Sequence, residues 1–289
     1  MSGDLHCHTR LSDGSMGIEE LIMLAVKNGV DTISVTDHDC MAGNVRAKII
    51  GERNNIRVIP GVELSATDKE TGKSAHILAY LCDSPDRIEG LCHSNAIVRK
   101  RAGQYMMLKA VGRYPLSVEL VQKCATGSMN LYKHHIMHAL MECGFTNTIY
   151  GELYDDLFSS LSDNNILITP AYAPVEEVIK AVQDAGGIAV LAHTAIADNP
   201  GILERLIPLG LDGIEVWSPH LLKEAEERLI SIAKKNKLLI TGGSDFHGMY
   251  NKTRLTVGQY STPEQYLDEL FAYKSKKKKQ QKKASVVNG

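Results

Sequence analysis

Asp4-Leu5-His6-Cys7-His8, with Asp13 following in Ser12-Asp13-Gly14, is the stretch that decides the fold. Residues two apart on a β-strand point to the same side, so a strand through residues 4–7 places both imidazoles on one face. The carboxylate of Asp13 follows in a turn that contains glycine. Two histidines and a carboxylate at the C-terminal end of a first strand are typical of the start of a metal site.

The same chemistry recurs at or just after the ends of later predicted strands. A single histidine is usually structural, but six of the 11 histidines and three carboxylates occupy such positions, which favours a joint metal site over chance. The candidate ligands are His6, His8, Asp13, His38, Glu63, His76, His193, Asp245 and His247. Histidine and carboxylate donors without a thiolate suit Mn²⁺, Fe²⁺ or Zn²⁺ rather than a structural cysteine zinc site.

This candidate set is too large for a single ion. It suffices for two or three divalent ions if a carboxylate bridges them and water fills the open positions. Clustered divalent ions suit phosphoryl hydrolysis, because one can activate water while the others hold the phosphate and leaving oxygens.

Strand-like and helix-like runs alternate through residues 1–85 and again through 169–273. This alternation predicts an α/β fold with a mostly parallel sheet covered by helices, either closed or open. The candidate ligands fall where α/β barrels place their sites. Residues 86–168 carry helical patterns at Asp86–Val111, Tyr132–Cys143 and Glu152–Leu161, which we interpret as a helical insertion that caps the barrel mouth.

The composition indicates a large hydrophobic core and cysteines in the reduced state. The 289 residues are 44% hydrophobic, enough for a large core. The six cysteines contain no Cys-x-x-Cys pair, which favours a reducing compartment. With no signal-peptide pattern and no apolar run of membrane-spanning length, we expect a cytoplasmic protein.

The charge is distributed unevenly along the chain. Residues 274–289 hold seven lysines and no acid, so removing these positive charges from the net charge of −2 leaves −9. An acidic body fits a protein whose clustered carboxylates are offset by divalent cations. We expect the lysine-rich tail to be disordered and solvated, with contact to RNA or another polyanion as the alternative.

The motifs together resemble a known family. D-L-H-C-H with Asp13, T-D-H-D, P-G-V-E, A-H-I-L-A-Y, V-L-A-H and G-S-D-F-H-G look like the PHP (polymerase and histidinol phosphatase) phosphoesterases, with every motif in order. Within that family the arrangement is similar to the 3',5'-nucleotide bisphosphate phosphatases and the bacterial 5'→3' exoribonucleases, which share the helical insertion. The resemblance implies a distorted seven-stranded (βα) barrel with an α-helical insertion and a trinuclear metal site.

The resemblance also implies a division of the ligands among three metals. The first would be held by His6, His8, Glu63 and Asp245, the second by Glu63 as a bridge with His76 and His193, and the third by Asp13, His38 and His247. A bridging water or hydroxide would be the nucleophile, so Asp13, His38, Glu63 and His247 form the expected catalytic set. We expect Mn²⁺, with Fe²⁺ or Zn²⁺ as alternatives.

Three further carboxylates lie beside these motifs. Asp4 and Asp37 are predicted to orient neighbouring histidines, with capping of the strand ends an equally good interpretation. Glu215 is predicted to lie in the pocket or behind the ligands, and not to be a ligand.

The substrate-binding segment departs from its relatives, which usually carry an Arg-Pro/Gly-His-x-x-Arg-like pattern in the insertion. Here the corresponding residues are Lys133, His134, His135 and His138, which we predict to bind substrate. Lysine and histidine bind phosphate without the bidentate fork of arginine. Tyr172 and Trp217 are candidates for stacking a nucleobase, with core packing as the alternative.

The predicted activity is hydrolysis of nucleotide phosphate esters by a metal-activated hydroxide. The expected substrates are 3',5'-bisphosphates, nucleoside monophosphates or short RNA 5' ends, and the chain shows neither a DNA-binding module nor a membrane segment. A histidinol-phosphate phosphatase or other small-molecule phosphatase is the alternative enzyme, although that group generally lacks the insertion. A non-catalytic, metal-stabilised module is the alternative from another class.

Overall fold

The computed structural model describes residues 2–193, 199 and 201–287, with residues 281–287 described by their backbone alone. In this part of the chain the strands are β1 (Ser2–Cys7), β2 (Thr32–Val35), β3 (Arg57–Thr67), β4 (Ser74–Tyr80), β5 (Ile188–Leu191), β6 (Gly213–Trp217), β7 (Leu239–Gly242) and β8 (Thr262–Pro263). They form one sheet in the order β7-β6-β5-β4-β3-β2-β1-β8. The seven predicted strands are therefore joined by a very short eighth.

The sheet is only partly parallel. β1, β2 and β3 run parallel to one another, and so do β5, β6 and β7. β4 runs antiparallel to both of its neighbours, β3 and β5, which the predicted mostly parallel sheet did not anticipate. For β3 and β4 the antiparallel direction follows from the short connection through residues 68–73. A parallel neighbour would need a crossover of about a dozen residues or more.

The two ends of the sheet meet. Cys7 forms a parallel bridge with Phe246, and the His8 amide donates to the Phe246 carbonyl at 2.9 Å. A Cβ on Gly243 would come within 2.4 Å of the His6 Cβ, so only glycine allows this approach. The predicted barrel is confirmed, and its closure makes β1 a neighbour of the loop that follows β7.

Ten helices surround this sheet in the described part of the chain. They are α1 (Ile18–Lys27), α2 (Asn44–Arg53), α3 (Asp86–Val111), α4 (Val118–Cys124), α5 (Lys133–Glu142), α6 (Glu152–Phe158), α7 (Val175–Asp184), α8 (Ile202–Leu206), α9 (Lys223–Asn236) and α10 (Glu264–Val287). Within residues 86–168 the helical patterns predicted α3, α5 and α6 but missed the short α4. None of the described helices has the length and apolarity needed to cross a membrane.

Strand alternation separates the ligand face from the helix-packed face. On β4, Ile77 and Ala79 pack in the cluster that contains apolar residues of α7, α8 and α9. Leu78 and Tyr80 point to the other side and join a second cluster with residues of β5 and α10. His76 shares their face, which places its ring above that second cluster.

The helices between β4 and α7 have their own core. Its buried residues include Met106, Met107, Ile136, Met137, Leu140 and Phe158. α3 belongs to both bodies, because Ile88 and Cys92 near its start pack in the barrel cluster, whereas Met106 and Met107 pack in the insertion core. The predicted domain boundary at residue 86 therefore falls at the start of a helix that the two parts share.

The lysine-rich segment differs from the disordered tail that we expected. The backbone of α10 continues to Val287, and residues 288–289 after it lie outside the described part. The Lys274 ammonium lies 2.6 Å from an Asp83 carboxylate oxygen, and the Lys277 ammonium lies 3.0 Å from Asp212. The run of lysines is thus partly neutralised by barrel carboxylates far away in the sequence, which its composition does not reveal.

The end of β3 is held by a bidentate ion pair. Asp68 is buried and accepts hydrogen bonds from both terminal nitrogens of Arg205, at 2.8 and 2.7 Å, and from Thr71 at 2.6 Å. The Arg205 guanidinium, with help from Thr71 and Asn199, holds the pKa of Asp68 well below its usual range. A carboxylate whose pKa is lowered by folding stabilises the fold above its unfolded pKa of about 4 and loses this effect as the pH falls further.

We therefore expect Asp68→Asn to lower the free energy of unfolding by about 2 kcal/mol at pH 7, the range for a lost charge-assisted hydrogen bond. The difference from wild type should shrink as the pH falls below about 4. Urea denaturation at pH 7 and pH 3 measures both values, with Asp184→Asn as the control at an exposed carboxylate. If wild type and variant differed in free energy of unfolding by the same amount at both pH values, the charge of Asp68 would not be what stabilises the fold.

Candidate metal centre

Glu63 is the centre of the donor cluster. It is 2% exposed. Its Oε2 lies 3.2 Å from His6 Nε2, His8 Nε2 and His38 Nδ1, and its Oε1 lies 2.9 Å from His76 Nδ1. These donors therefore converge on one point at the barrel mouth. They lie on, or just past the end of, the four strands β1, β2, β3 and β4.

Asp245 stands at a second meeting point. Its Oδ1 lies 3.3 Å from His6 Nε2 and 3.2 Å from His8 Nε2. Its Oδ2 lies 2.9 Å from His220 Nε2 and 3.6 Å from His193 Nε2. The backbone φ of Asp245 is +48°, a left-handed conformation that costs energy for most residues and is concentrated at functional sites.

Asp13 gathers a third group of donors. Its Oδ1 lies 3.3 Å from both His247 Nε2 and His8 Nδ1, and its Oδ2 lies 3.5 Å from His38 Nε2. The rings of His8 and His247 stack with their centroids 4.2 Å apart. The structure thus brings together the three residues expected at the third metal.

The position of His193 can be described by the donors nearest to it. The resemblance implied that it shares a metal with Glu63 and His76. Among the described residues, the donor group that contains His76 consists of His38, Glu63 and His76, whereas His193 belongs to one group with His6 and Glu215 and to another with His220 and Asp245. The strand order still places His193, just after β5, beside β4.

Glu215 holds two of the histidines from behind. It is fully buried, and its Oε1 lies 3.0 Å from His6 Nδ1 while its Oε2 bonds His193 Nδ1. Burial raises the pKa of Glu215, but the two histidines outweigh it and lower that pKa to about 2. The carboxylate is therefore charged and fixes both rings with Nε2 toward the cluster, as outer partners of metal-bound histidines do.

Asp4 and Asp37 hold loops and do not bond the histidine rings. Asp37 accepts from the Thr9 amide at 2.8 Å and from the Ser12 hydroxyl at 2.6 Å. Asp4 accepts from the amide and hydroxyl of Ser244, at 2.9 and 2.6 Å. These bonds fix the loops that carry Asp13 and Asp245, which agrees with the capping interpretation.

The residues present fit divalent cations. The buried ring nitrogens His6 Nε2, His8 Nδ1, His8 Nε2, His38 Nδ1 and His193 Nε2 have no hydrogen-bond partner. Carboxylate oxygens lie close to all of them, but the geometry of a hydrogen bond is missing. Burial lowers the pKa of His38 to about 3, so this ring is neutral and its lone pair is free. Imidazole nitrogens that face carboxylate oxygens are the donor set that Mn²⁺, Fe²⁺ and Zn²⁺ accept.

A cavity of about 410 Å³ separates the donor cluster from the helical insertion. Asp13, His38 and His76 line one wall, and Arg99, Lys133, His134 and several tyrosines line the other. The expected cap over the barrel mouth is therefore built from α3, α5 and the segments beside them. A substrate at the donor cluster would be in reach of these side chains.

The four predicted substrate-binding residues separate into two pairs. Lys133 and His134 line the cavity, and the buried His134 Nε2 has no hydrogen-bond partner. His135 and His138 are not among the lining residues. His135 Nδ1 accepts from the Tyr132 amide at the start of α5, at 3.2 Å, and His138 Nδ1 lies 3.0 Å from the Tyr250 hydroxyl.

Arg99 is a cavity residue that sequence reasoning missed. Its guanidinium lies between the rings of Tyr132 and Tyr172, 5.0 and 5.2 Å from their centroids. One nitrogen, Nη2, bonds Asp39 at 3.1 Å, whereas the buried Nε has no partner. A lone arginine in a long helix gives no signal in the sequence, because its partners come from distant segments.

The other two aromatic candidates take different positions. Tyr172 lines the cavity but stacks on Arg99. Trp217 packs on Tyr266 with ring centroids 5.1 Å apart and borders the barrel core, so core packing is the interpretation that its position favours. His220 also escaped notice, although it follows a strand end as the predicted ligands do.

Comparison with known proteins agrees with this geometry. The family model of the PHP domain matches residues 4–240. A phosphoribosyl 1,2-cyclic phosphate 1,2-diphosphodiesterase of Eggerthella lenta is 33% identical over 87% of this chain and 96% of its own length. A 3',5'-nucleoside bisphosphate phosphatase of Chromobacterium violaceum is 28% identical over 84% of this chain and 86% of its own length.

A solved structure shares the whole fold. A Bifidobacterium adolescentis protein assigned as a metal-dependent phosphoesterase has 30% identity and a TM-score of 0.83, covering 93% of this chain and 95% of that chain. The barrel and its donor cluster define a metal-dependent phosphoesterase, a hydrolase of phosphoric ester bonds. The chain belongs to the PHP domain family, which confirms the resemblance drawn from its motifs.

Glu215 gives a test of the centre that leaves the candidate ligands in place. Glu215→Gln keeps the shape but removes the negative charge and one acceptor behind His6 and His193. We expect divalent-metal affinity to fall about 10-fold to 100-fold. Chelator competition with Zn²⁺ measures it, and Glu227→Gln, at an exposed position of α9, is the control. Unchanged affinity would show that Glu215 does not support the centre.

Proposed function

We propose that the protein hydrolyses phosphate esters of nucleotides or phosphorylated ribose at the donor cluster, with two to three divalent ions bound. The observation that carries this proposal is the cavity itself, which has candidate metal ligands on one wall and cationic and aromatic side chains on the other. A phosphate needs both: charge neutralisation at its oxygens and a fixed position for the rest of the ester.

The distances support the division of the ligands that the resemblance implies for two of the ions. His6, His8, Glu63 and Asp245 would hold one ion, and Asp13, His38 and His247 would hold another. Glu63 Oε1 with His76 would begin a third position, with Glu63 as the bridge. When bound, such ions neutralise phosphate oxygens and make water a nucleophile at neutral pH. The mixed histidine and carboxylate set favours Mn²⁺, with Fe²⁺ and Zn²⁺ as the alternatives.

The insertion would bind the part of the substrate that leaves. The Lys133 ammonium lies 6.0 Å from the Tyr154 ring centroid and has no ion-pair partner among the described residues. Burial, with a smaller effect from Arg99, lowers the pKa of Lys133. An anion beside this half-buried ammonium would lower the free-energy cost of burying it, because a buried charge is stable when it is paired.

Arg99 supports an ester that carries a second anionic group. Its guanidinium is 14% exposed and held flat by two tyrosines, and its partner Asp39 leaves the Nε edge unpaired. Arginine held in this way presents planar donors suited to phosphate oxygens. We therefore favour nucleoside bisphosphates, phosphorylated ribose esters and 5'-phosphorylated RNA ends over esters with a single charge. The names of the two relatives above describe substrates with more than one phosphate.

The two rival functions make different predictions. A histidinol-phosphate phosphatase would cleave an ester whose leaving group is cationic, which Arg99 and Lys133 would repel. A non-catalytic metal-stabilised module would bind metal without turnover. The cavity between cluster and insertion favours an enzyme over such a module.

A phosphate-release screen tests the proposal. Protein loaded with Mn²⁺, Fe²⁺ or Zn²⁺ is assayed on nucleoside monophosphates, 3',5'-bisphosphates, phosphoribosyl cyclic phosphate, histidinol phosphate and short 5'-phosphorylated RNA. We expect turnover to be fastest on substrates with a second phosphate. Asp13→Ala should reduce it by more than about 100-fold, since even outer partners of ligands contribute that much. Preference for histidinol phosphate, or metal binding without any turnover, would refute the proposal.

The role of the insertion is tested separately. We expect Arg99→Lys and Lys133→Ala each to reduce kcat/KM on a bisphosphate by about 10-fold to 100-fold, the value of a charge-assisted hydrogen bond. A generic aryl phosphate, which has no second anion, should lose much less. Arg101→Lys, at an exposed position of the same helix, is the matched control. Equal losses of kcat/KM on both substrates would mean that these residues do not bind the second anionic group.

A further inference from the structure

Two polar atoms on the insertion wall of the cavity lack a partner within the protein. Tyr132 and His134 both line this cavity, and they are 8% and 7% exposed. Among the described residues, neither the Tyr132 hydroxyl nor His134 Nε2 has a hydrogen-bond partner. A buried polar group left unpaired costs free energy, and native structures retain few of them. Because both residues line the cavity that would hold the substrate, a bound molecule can supply the missing partner.

The two side chains belong to one row of stacked rings that begins at the donor cluster. The ring centroid of Tyr132 lies 6.2 Å from that of His38 and 5.6 Å from that of His134, with angles of 26° and 9° between the planes. The ring of His134 in turn stacks on that of Tyr250, with centroids 4.2 Å apart. A group bound at Tyr132 and His134 would therefore lie beside a phosphate held by His38 and the other candidate ligands.

Hydrogen bonds from neighbouring residues hold this row in place. The Tyr132 amide donates to His135 Nδ1 at the start of α5, at 3.2 Å. The Tyr250 hydroxyl lies 3.0 Å from His138 Nδ1, and the Tyr250 carbonyl accepts from the Tyr150 hydroxyl at 2.8 Å. Side chains that are fixed before a ligand arrives lose little conformational entropy when they bind it.

Both unpaired groups are uncharged at neutral pH. Burial, with a smaller effect from His135, lowers the pKa of His134 well below its usual range, and a phenol stays protonated up to a pH of about 10. A neutral imidazole has one donating and one accepting nitrogen, and a tyrosine hydroxyl does both. A sugar hydroxyl also donates and accepts, so it can pair with both groups in either tautomer of His134. A phosphate oxygen only accepts, and the cationic Arg99 and Lys133 on the same wall suit it better.

We propose that the Tyr132 hydroxyl and His134 Nε2 bind the sugar hydroxyl next to the scissile phosphate ester, so that the site selects ribosyl esters over 2'-deoxyribosyl esters. This inference rests on the proposed function and assigns a part of the substrate that the donor cluster, Arg99 and Lys133 leave unbound. In a 3',5'-bisphosphate or an RNA chain, the 2'-hydroxyl is on the carbon beside the one that carries the 3'-ester. A substrate without that hydroxyl would leave both buried groups unpaired, and sites built to bind a hydroxyl discriminate strongly against such analogues.

The test compares adenosine 3',5'-bisphosphate with its 2'-deoxy form as substrates of the Mn²⁺-loaded protein. We expect the wild-type kcat/KM to be about 10-fold to 100-fold higher on the ribose form, the value of leaving a buried polar group unpaired. Tyr132→Phe and His134→Phe each remove the polar atoms and keep a flat ring in the stack. Each should reduce kcat/KM on the ribose form by about 10-fold and on the deoxy form by less than about 3-fold. Tyr105→Phe, at an exposed position of α3, is the control.

A measurement without substrate separates binding from a structural role of the hydroxyl. Because the Tyr132 hydroxyl has no hydrogen-bond partner in the described part of the chain, Tyr132→Phe should leave the urea midpoint of unfolding unchanged or raise it. A lower midpoint would show that the hydroxyl stabilises the fold, which would contradict its assignment as an unpaired binding group.

Three kinetic results would overturn the inference. They are equal wild-type kcat/KM on the two forms, equal losses on both forms in the variants, and an unchanged preference for the ribose form in both variants. A wild-type protein that turns over neither form nor any other ester of the phosphate-release screen would instead refute the proposed function. Calorimetric binding of the two bisphosphates would then decide the inference, since equal wild-type Kd values would refute it and a ribose preference that Tyr132→Phe abolishes would support it.

Discussion

The burial of negative charge at the barrel mouth is the constraint on which the rest of the structure depends. Glu63 and Glu215 are almost inaccessible to solvent, and the side chain of Asp245 is only 13% exposed. A charged carboxylate is costly in such a place unless positive or hydrogen-bonding groups surround it. The histidine rings meet that need from neighbouring strands. The closed sheet, the short β3–β4 connection and the glycine beside β1 bring those rings close enough, and the loops fixed by Asp4 and Asp37 complete the ring of donors.

The second constraint is the junction between barrel and insertion. α3 begins in the barrel core and ends in the insertion core, and Gly103 allows the segment before α5 to touch it, since a Cβ there would lie 2.3 Å from the Leu131 carbonyl. Arg99, between these points, bonds Asp39, the last residue of the T-D-H-D motif that follows β2. One helix thereby sets the distance between the donor cluster and the residues that line the opposite wall.

The fold and the main donors could be predicted because strand-end motifs carry period-2 geometry that a single sequence displays. Strand direction could not be taken from the same pattern, although the few residues between β3 and β4 already exclude a crossover. Arg99 and His220 escaped because each depends on partners from distant segments. At the start of α5 the sequence offered three histidines, and only the rotation of the helix decides that His134 faces the cavity while His135 caps the backbone. The ion pairs of the α10 lysines could not be predicted for the same reason, because Asp83 and Asp212 are remote in sequence.

The separate core of the insertion has an evolutionary consequence. Methionine-rich interiors accept substitutions with modest loss of stability, since the unbranched side chain adapts to the space around it. Mutations can therefore accumulate in the insertion and alter the wall it presents, while the strand ends that carry the histidines and carboxylates stay unchanged. Because of this division, substrate preference can change through successive substitutions in the insertion while the hydrolytic site of the barrel stays functional.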